Sequence, residues 1–113
     1  MEGRGTYRYA TGNEYVGEFK AGQKEGRGTY RYASGDEYDG EYREDKKEGR
    51  GTYRYASGFV EVGFYKANAD VGEGVRWSAD RTVAVRLRDG QPVEAISLEE
   101  AEATCARLGL PAP

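Results

Sequence analysis

Residues 25–42 have the sequence EGRGTYRYASGDEYDGEY, and close copies occupy residues 2–19 (EGRGTYRYATGNEYVGEF) and residues 48–65 (EGRGTYRYASGFVEVGFY). The copies begin 23 residues apart, and a fixed interval of this size is typical of repeat architectures. A fourth unit keeps Gly72 and Gly74 but loses most of the remaining pattern. The repeat therefore decides the fold, and the fourth unit needs a separate explanation.

The second unit has the pattern of a β-hairpin. Residues 29–33 alternate between polar and aromatic side chains, residues 34–36 (Ser-Gly-Asp) have turn chemistry, and residues 37–42 alternate again. Gly35 can supply the positive φ that a tight turn requires. We predict one such hairpin for each unit.

Successive side chains of a strand point to opposite faces of its sheet, so the alternation assigns the faces. The side that we call the tyrosine face carries Tyr30, Tyr32, Tyr38 and Tyr42. The side that we call the charged face carries Thr29, Arg31, Glu37, Asp39 and Glu41. Because a lone hairpin cannot bury its rings, the units are expected to stack against one another.

Composition narrows the class of protein. The 113 residues include ten tyrosines, while no Leu or Ile precedes Leu87, so the expected core is aromatic and thin. The net charge is −3 with both signs interleaved, which argues against nucleic acid binding. No apolar run approaches the roughly 20 residues that cross a bilayer, and the N-terminus has no signal pattern, so no transmembrane segment is predicted.

The chemistry-bearing residue types are few. The chain has one cysteine and no histidine, which excludes an internal disulfide and a zinc site built on Cys and His. The carboxylates come without a histidine, a serine elbow or a phosphate-cradling loop, so we predict no catalytic residue, no metal and no cofactor. The lone thiol favours an intracellular location, in the cytoplasm or on a membrane- or cytoskeleton-associated assembly.

The return strands carry the most specific signal. Residues 15–19 (Tyr-Val-Gly-Glu-Phe) precede the Gly-Arg-Gly of residues 26–28, and residues 38–42 (Tyr-Asp-Gly-Glu-Tyr) precede the Gly-Arg-Gly of residues 49–51. This pattern resembles the MORN repeat. The resemblance implies an all-β, elongated, single-layer solenoid of stacked antiparallel hairpins that serves as a scaffold, a dimerisation module or a phospholipid binder. Glu61 departs from it at a tyrosine position, and so do Ala84 and Arg86 in the fourth unit.

The fourth unit is predicted to close the array beneath a C-terminal helix. Residues 97–108 have a capping box from Ser97 to Glu100 and end before Gly109 and Pro111. An apolar stripe of Leu98, Ala101, Cys105 and Leu108 lies opposite Glu99, Glu102 and Thr104. The 23-residue spacing puts the apolar side of the last hairpins on the charged face, where the stripe is expected to dock on Val60, Val62, Trp77, Val85 and Leu87. The alternative is that the stripe is a partner helix or half of a coiled coil.

The predicted organisation is therefore a repeat array over residues 1–91 and a helix with its tail over residues 92–113. The units cover about 2–24, 25–47, 48–70 and 71–91.

A tyrosine-rich surface rimmed by charge is typical of a protein-binding surface. The candidate partner-binding residues are Tyr7, Tyr9, Tyr15, Tyr30, Tyr32, Tyr38, Tyr53 and Tyr55. The candidates for contact with an anion are Arg4, Arg27, Arg50 and Arg54.

The functional hypothesis is a non-catalytic scaffold or adaptor that binds a protein partner or forms a homodimer. Two alternatives stay open, a peripheral membrane module that binds acidic phospholipids through arginines and a targeting region of a larger enzyme.

Overall fold

A computed structural model describes residues 2–113 as one antiparallel sheet with the strands in chain order, followed by one helix. The elements are β1 (Gly3–Arg8), β2 (Glu14–Lys20), β3 (Gln23–Arg31), β4 (Glu37–Arg43), β5 (Lys46–Arg54), β6 (Val60–Lys66), β7 (Ala69–Trp77), β8 (Ala84–Arg88), β9 (Gln91–Ile96) and α1 (Leu98–Leu108). The molecule measures 43 × 25 × 19 Å. The predicted elongated, single-layer array of antiparallel hairpins with one C-terminal helix is confirmed.

Two kinds of turn connect the strands. Within a unit, the chain reverses through a turn such as that of Gly35, whose φ is 99° and whose N–H donates to the Tyr32 carbonyl at 3.0 Å. Where one unit gives way to the next, and again between β8 and β9, two residues form the turn, and both have positive φ as a type I′ turn requires. These pairs are Ala21-Gly22, Glu44-Asp45, Ala67-Asn68 and Asp89-Gly90. The first three of these turns join successive units, and the fourth joins β8 to β9.

The sheet buries side chains on both faces, but in different parts of the molecule. On the tyrosine face, the buried cluster is aromatic and consists of Tyr15, Phe19, Tyr38, Tyr42 and Tyr65. On the opposite face, the buried cluster lies under the helix and consists of Val62, Val75, Trp77, Ala84, Ala101, Cys105 and Leu110. The apolar pattern therefore changes face within β6, as the sequence predicts.

Helix α1 begins where the capping box places it. The Ser97 hydroxyl accepts from the Glu100 N–H at 3.0 Å, and Gly109, which has a φ of 71°, caps the helix after Leu108. Its buried face differs from the prediction, because Leu98 is 41% exposed while Thr104 is buried. The prediction that Leu98 docks is wrong, since the helix is rotated so that Ala101, Thr104 and Cys105 meet the sheet.

Strand β8 shows the opposite facing to the one predicted. Val85 and Leu87 pair with Arg76 and Gly74, which places them on the tyrosine face instead of under the helix. In the first three hairpins the closing pair is six positions apart, as in Arg31↔Glu37, whereas Trp77↔Ala84 is seven apart. One extra turn residue exchanges the two faces of the return strand.

Most of the other residues that were predicted to lie between the helix and the sheet are buried. Val62, Trp77, Cys105 and Leu108 pack together with the helix, and Ala84 takes the place expected of Val85. Val60 and Leu87 are buried but lie outside this cluster.

Strand β9 is absent from the sequence prediction, which assigned residues 92–113 to the helix and its tail. It pairs with β8 along its length, and Pro92 lies opposite Leu87. Proline is tolerated in an edge strand because its missing N–H can face solvent.

Candidate functional site

Six tyrosines form a continuous row along the tyrosine face, which we call the outer ladder. Consecutive ring centroids lie 4.7–5.9 Å apart. The row is Tyr7, Tyr9, Tyr30, Tyr32, Tyr53 and Tyr55. Tyr7 is 51% exposed and the other five are half-buried, so part of each residue in the row is accessible to solvent.

A second row, which we call the inner ladder, supports the first from below. Its rings meet edge to face at centroid distances of 5.0–5.4 Å, a favourable geometry for aromatic pairs. The row is Phe19, Tyr15, Tyr42, Tyr38 and Tyr65, and all five are buried.

Paired glycines leave the space that the inner ladder fills. The Tyr38 ring crosses Gly40 and Gly51, which face each other on neighbouring strands. The Tyr38 hydroxyl then donates to the Glu41 carbonyl at 3.0 Å, as that of Tyr15 does to Glu18 at 2.9 Å. The Tyr-x-Gly-Glu sequence therefore forms one structural motif. The tyrosine ring lies over the glycine, and its hydroxyl group donates a hydrogen bond to the backbone carbonyl of the glutamate.

Two lysines lie between the ladders. The Lys24 Nζ is 5.7–5.8 Å from the ring centroids of Tyr9, Tyr15, Tyr30 and Tyr42. The Lys47 Nζ is 4.9–5.6 Å from those of Tyr32, Tyr38, Tyr53 and Tyr65. Each ammonium group thus has four rings within cation–π range. Lys24 also pairs with Asp45 at 3.5 Å, whereas Lys47 forms no ion pair within residues 2–113.

Residues of both ladders and the two lysines line an open groove of about 260 Å³. Its lining residues are Lys24, Tyr30, Tyr32, Tyr42, Asp45, Lys47 and Asn68. The groove offers phenol rings, hydroxyl groups and the ammonium group of Lys47.

Burial raises the pKa of several tyrosines on this face. Desolvation raises the pKa of Tyr15 to about 12, and desolvation together with the hydrogen bond to Glu61 raises the pKa of Tyr55 to about 12. The pKa values of Tyr42 and Tyr65 are raised still further, mainly by desolvation. The hydroxyl groups of these four tyrosines therefore stay protonated further into the alkaline range than an exposed phenol does.

The charged face neutralises most of its own arginines. Glu14 pairs with Arg8 at 2.9 Å and with Arg31 at 3.2 Å, and Glu37 pairs with Arg31 at 3.1 Å and with Arg54 at 3.6 Å. These contacts form one chain of alternating charge across the first three hairpins.

The arginines that were predicted to contact an anion have different surroundings. Arg4 lies 3.8 Å from Glu18, Arg50 lies 3.6 Å from Glu41, and Arg54 belongs to the chain of alternating charge. Arg27 is exposed and forms no ion pair within the residues that the structure describes.

The eight candidate tyrosines divide into two groups. Tyr15 and Tyr38 are 0% exposed, so they are corrected to supports of the face because a partner cannot reach them. The other six make up the outer ladder.

Sequence reasoning missed Lys24 and Lys47, and it also missed Asn13 and Asp36. The Asn13 side chain accepts from the Ala33 N–H at 2.8 Å, and the Asp36 side chain accepts from the Ala56 N–H at 2.7 Å, so each links its unit to the next. The sequence did contain a signal for these residues, because they recur at the repeat interval: Lys24 and Lys47 are 23 residues apart, and so are Asn13 and Asp36.

Comparison with known protein families identifies the repeat. A family model described as the MORN repeat matches three consecutive segments, residues 1–14, 15–37 and 38–60, which together are more than half of the chain. No curated protein matches the sequence. Such repeats are a non-enzymatic type that generally takes part in contacts with proteins or with membrane lipids.

Within residues 2–113, no helix has the length and apolarity needed to cross a membrane. The same residues contain no group of three or more acidic, cysteine or histidine side chains arranged to hold a metal ion.

Proposed function

Because the chain belongs to the MORN-repeat family, we propose that it is a non-catalytic scaffold or adaptor subunit that binds a protein partner through its outer ladder. The supporting observation is the ladder itself, in which five half-buried rings and the exposed Tyr7 line one side of the sheet. Tyrosine is enriched at protein interfaces, since it combines a large apolar ring with a hydroxyl group that can be hydrogen-bonded.

Lys47 indicates the chemistry of the partner. It lies at the groove without an ion pair within residues 2–113, and it is surrounded by four rings. A segment that places a carboxylate on Lys47 and apolar or aromatic side chains against Tyr30 and Tyr32 satisfies both features. The proposed partner is therefore an acidic-aromatic peptide segment of a protein in an intracellular assembly.

Protein is preferred over acidic lipid because of the charges. A lipid surface rich in anionic headgroups is bound by clusters of free basic residues. Here Arg8, Arg31 and Arg54 are bridged by glutamates, and the net charge of the chain is −3.

Affinity capture from native extract tests the proposal. The bait is the chain itself, compared with Tyr30→Ser/Tyr32→Ser and, in case that variant fails to fold, with Tyr32→Ser alone. The matched control, Arg8→Ser/Arg31→Ser, removes charge from the other face. Near-UV circular dichroism first confirms that each variant is folded.

We expect a protein that is captured by the parent chain and the charged-face control but lost by the tyrosine variants. Direct binding of the purified partner, weakened about tenfold or more by Tyr32→Ser, completes the test. Sedimentation with phosphatidylserine vesicles at low salt provides the contrast. Vesicle binding that Arg8→Ser/Arg31→Ser abolishes, with no protein lost from the tyrosine variants, would contradict the proposal.

A further inference from the structure

One repeat position on the tyrosine face carries a charge in three successive units, and the sign of that charge changes along the array. The residues are Lys24, Lys47 and Asp70, which stand 23 residues apart. They are equivalent in the sheet, because each lies opposite the aromatic residue of the strand before it, which is Phe19, Tyr42 or Tyr65. The tyrosine face therefore presents two ammonium groups followed by a carboxylate.

The residue in a nearby turn decides whether each lysine has a counter-ion. The Asp45 carboxylate accepts from the Lys24 N–H at 2.7 Å and also lies 3.5 Å from the Lys24 Nζ. The Asn68 side chain accepts from the Lys47 N–H at 2.9 Å in the same way, but an amide carries no charge. Within residues 2–113, Lys47 thus has the backbone contact that Lys24 has, without its ion pair.

Asp70 offers the opposite charge two strands further along the sheet. It is exposed and forms no ion pair with the residues that the structure describes. It lies opposite Tyr65, whose ring centroid is 5.6 Å from the Lys47 Nζ, so Tyr65 neighbours both charged residues. Glu61 and Arg76 also lie on this face, but they pair with each other at 2.6 Å. Lys47 and Asp70 therefore form a charge pattern that a partner can complete.

The unit spacing of the sheet matches one turn of a polyproline II helix. Equivalent positions in successive units are two strands apart, which is about 9.5 Å because neighbouring strands lie about 4.8 Å apart. A polyproline II helix has three residues per turn and rises about 3.1 Å per residue, so one turn is about 9.3 Å long. A segment laid across the strands in this conformation therefore presents every third side chain to the same position of successive units.

Other backbone conformations do not reproduce this match. Side chains on one face of an extended strand recur every two residues, or about every 6.7 Å, so they fall out of step with the units. Side chains of an α-helix return to one face after seven residues, or about 10.5 Å, and drift by about 1 Å per unit. Grooves lined by aromatic side chains are also the surfaces that bind polyproline II segments in other protein domains.

We propose that the tyrosine face binds a polyproline II segment in which an acidic residue and a basic residue stand three positions apart. The acidic residue lies at Lys47 and the basic residue lies at Asp70, in whichever direction the segment runs. Residues between them pack against the outer ladder. This inference rests on the proposed function, and it adds the backbone conformation and the charge pattern of the partner segment.

Selection from a displayed library of random peptides tests the pattern without knowledge of the natural partner. The parent chain should enrich peptides that carry an acid and a base three positions apart, with proline enriched close to them. Lys47→Glu makes both positions acidic and should enrich two bases at this spacing. Asp70→Lys makes both positions basic and should enrich two acids. Asp70 is exposed, so its variant keeps the test valid if Lys47→Glu does not fold.

Two matched controls separate these positions from a general effect of net charge. Lys46→Glu changes the exposed lysine next to Lys47, whose side chain points to the other face of the sheet. Asp39→Lys makes the same change as Asp70→Lys, but on the charged face. Near-UV circular dichroism confirms that each variant is folded. We expect both controls to enrich the same pattern as the parent.

Binding of one selected peptide to the purified chains completes the test. Replacing its basic residue by an acid should weaken binding to the parent about two- to fivefold, as for an exposed ion pair, and should strengthen binding to Asp70→Lys. The same pattern selected by the parent and by Asp70→Lys would overturn the inference, as would a spacing of two or seven residues or no enrichment at all. Peptides that bind the parent and Tyr32→Ser equally would instead contradict the use of the outer ladder, which is the proposed function.

Discussion

Gly40 and Gly63 hold the same repeat position in different surroundings. A Cβ built on Gly40 would lie 2.6 Å from both the Arg50 carbonyl oxygen and the Gly51 Cα, which are backbone atoms that cannot move independently. A Cβ on Gly63 would lie 3.7 Å from the Gly74 Cα, an ordinary contact distance. Glu61 stands two residues before Gly63, where Tyr38 stands two residues before Gly40, and no aromatic ring of a non-adjacent residue lies within 4 Å of a Cβ on Gly63.

We therefore expect Gly40→Ala to lower the free energy of unfolding by about 2 kcal/mol or more, in the upper range for overpacked sites. Gly63→Ala should change it by less than about 1 kcal/mol. Urea unfolding followed by circular dichroism measures both. If both variants lose the same free energy of unfolding, the backbone conformation at this position, and not the space needed for the ring, is the reason why glycine is required.

Tyr42 allows the buried phenols to be tested by pH. Desolvation raises the pKa of Tyr42 above its ordinary value, and the neighbouring phenols raise it further. An acid whose pKa is raised on folding stabilises the protein fully below the unfolded pKa, and this stabilisation is lost as pH rises through the folded pKa. Stability should therefore fall above about pH 10, the ordinary tyrosine pKa.

Tyr42→Phe should reduce that alkaline loss by up to about 1.4 kcal/mol per pH unit, the limit for one proton. At pH 8 the variant should be about as stable as the parent, because Phe19 already fills the same position one unit earlier. Urea unfolding at pH 8, 10 and 11 gives the comparison. An unchanged pH slope would exclude Tyr42 as a contributor.

At the scale of elements, the two-residue turns show where local strain is stored. Ala21, Glu44 and Ala67 take positive φ values of about 50°, a region that costs an L-residue about 1–2 kcal/mol. Their position is fixed by the register of the strands on either side. The tertiary structure thus imposes a turn that these residues do not favour on their own.

Ala21→Asn creates an Asn-Gly pair, the preferred sequence for such a turn. We expect it to raise the free energy of unfolding by about 0.5–1 kcal/mol. The control is Ala10→Asn, at an exposed turn position outside the set of residues with positive φ. Thermal unfolding of both variants checks this, and an equal gain in the control would point to a general effect of asparagine.

The elements also show how far the sequence can predict this structure. The first three hairpins and α1 were predictable, because alternation and capping signals act within a few residues. The orientation of the β8 side chains was not predictable, because a fixed 23-residue spacing does not account for the one extra residue in the turn between Trp77 and Ala84. The exposure of Leu98 and the tyrosine surroundings of Lys24 depend on how elements pack, which no local pattern specifies.

At the scale of the whole molecule, the two cores are distinct. The aromatic core spans the first three hairpins on one face, and the aliphatic core joins β6, β7, β8 and α1 on the other. In stacked repeats each unit contacts mainly its neighbours, so stability is close to a sum of local contributions. A change at one end need not reach the other.

Tyr15→Ala tests this independence, because the single tryptophan, Trp77, reports on the distant aliphatic core. Removing the fully buried ring should cost about 3 kcal/mol in the first two units. We expect the urea midpoint from near-UV tyrosine dichroism to fall while the midpoint from Trp77 fluorescence, excited at 295 nm, stays close to that of the parent. Cys105→Ala, in the aliphatic core, should lower the fluorescence midpoint instead. If Tyr15→Ala lowers both midpoints equally, the sheet unfolds as one unit. In that case, the pairing of adjacent strands couples the aromatic core to the aliphatic core even though the two lie on opposite faces of the sheet.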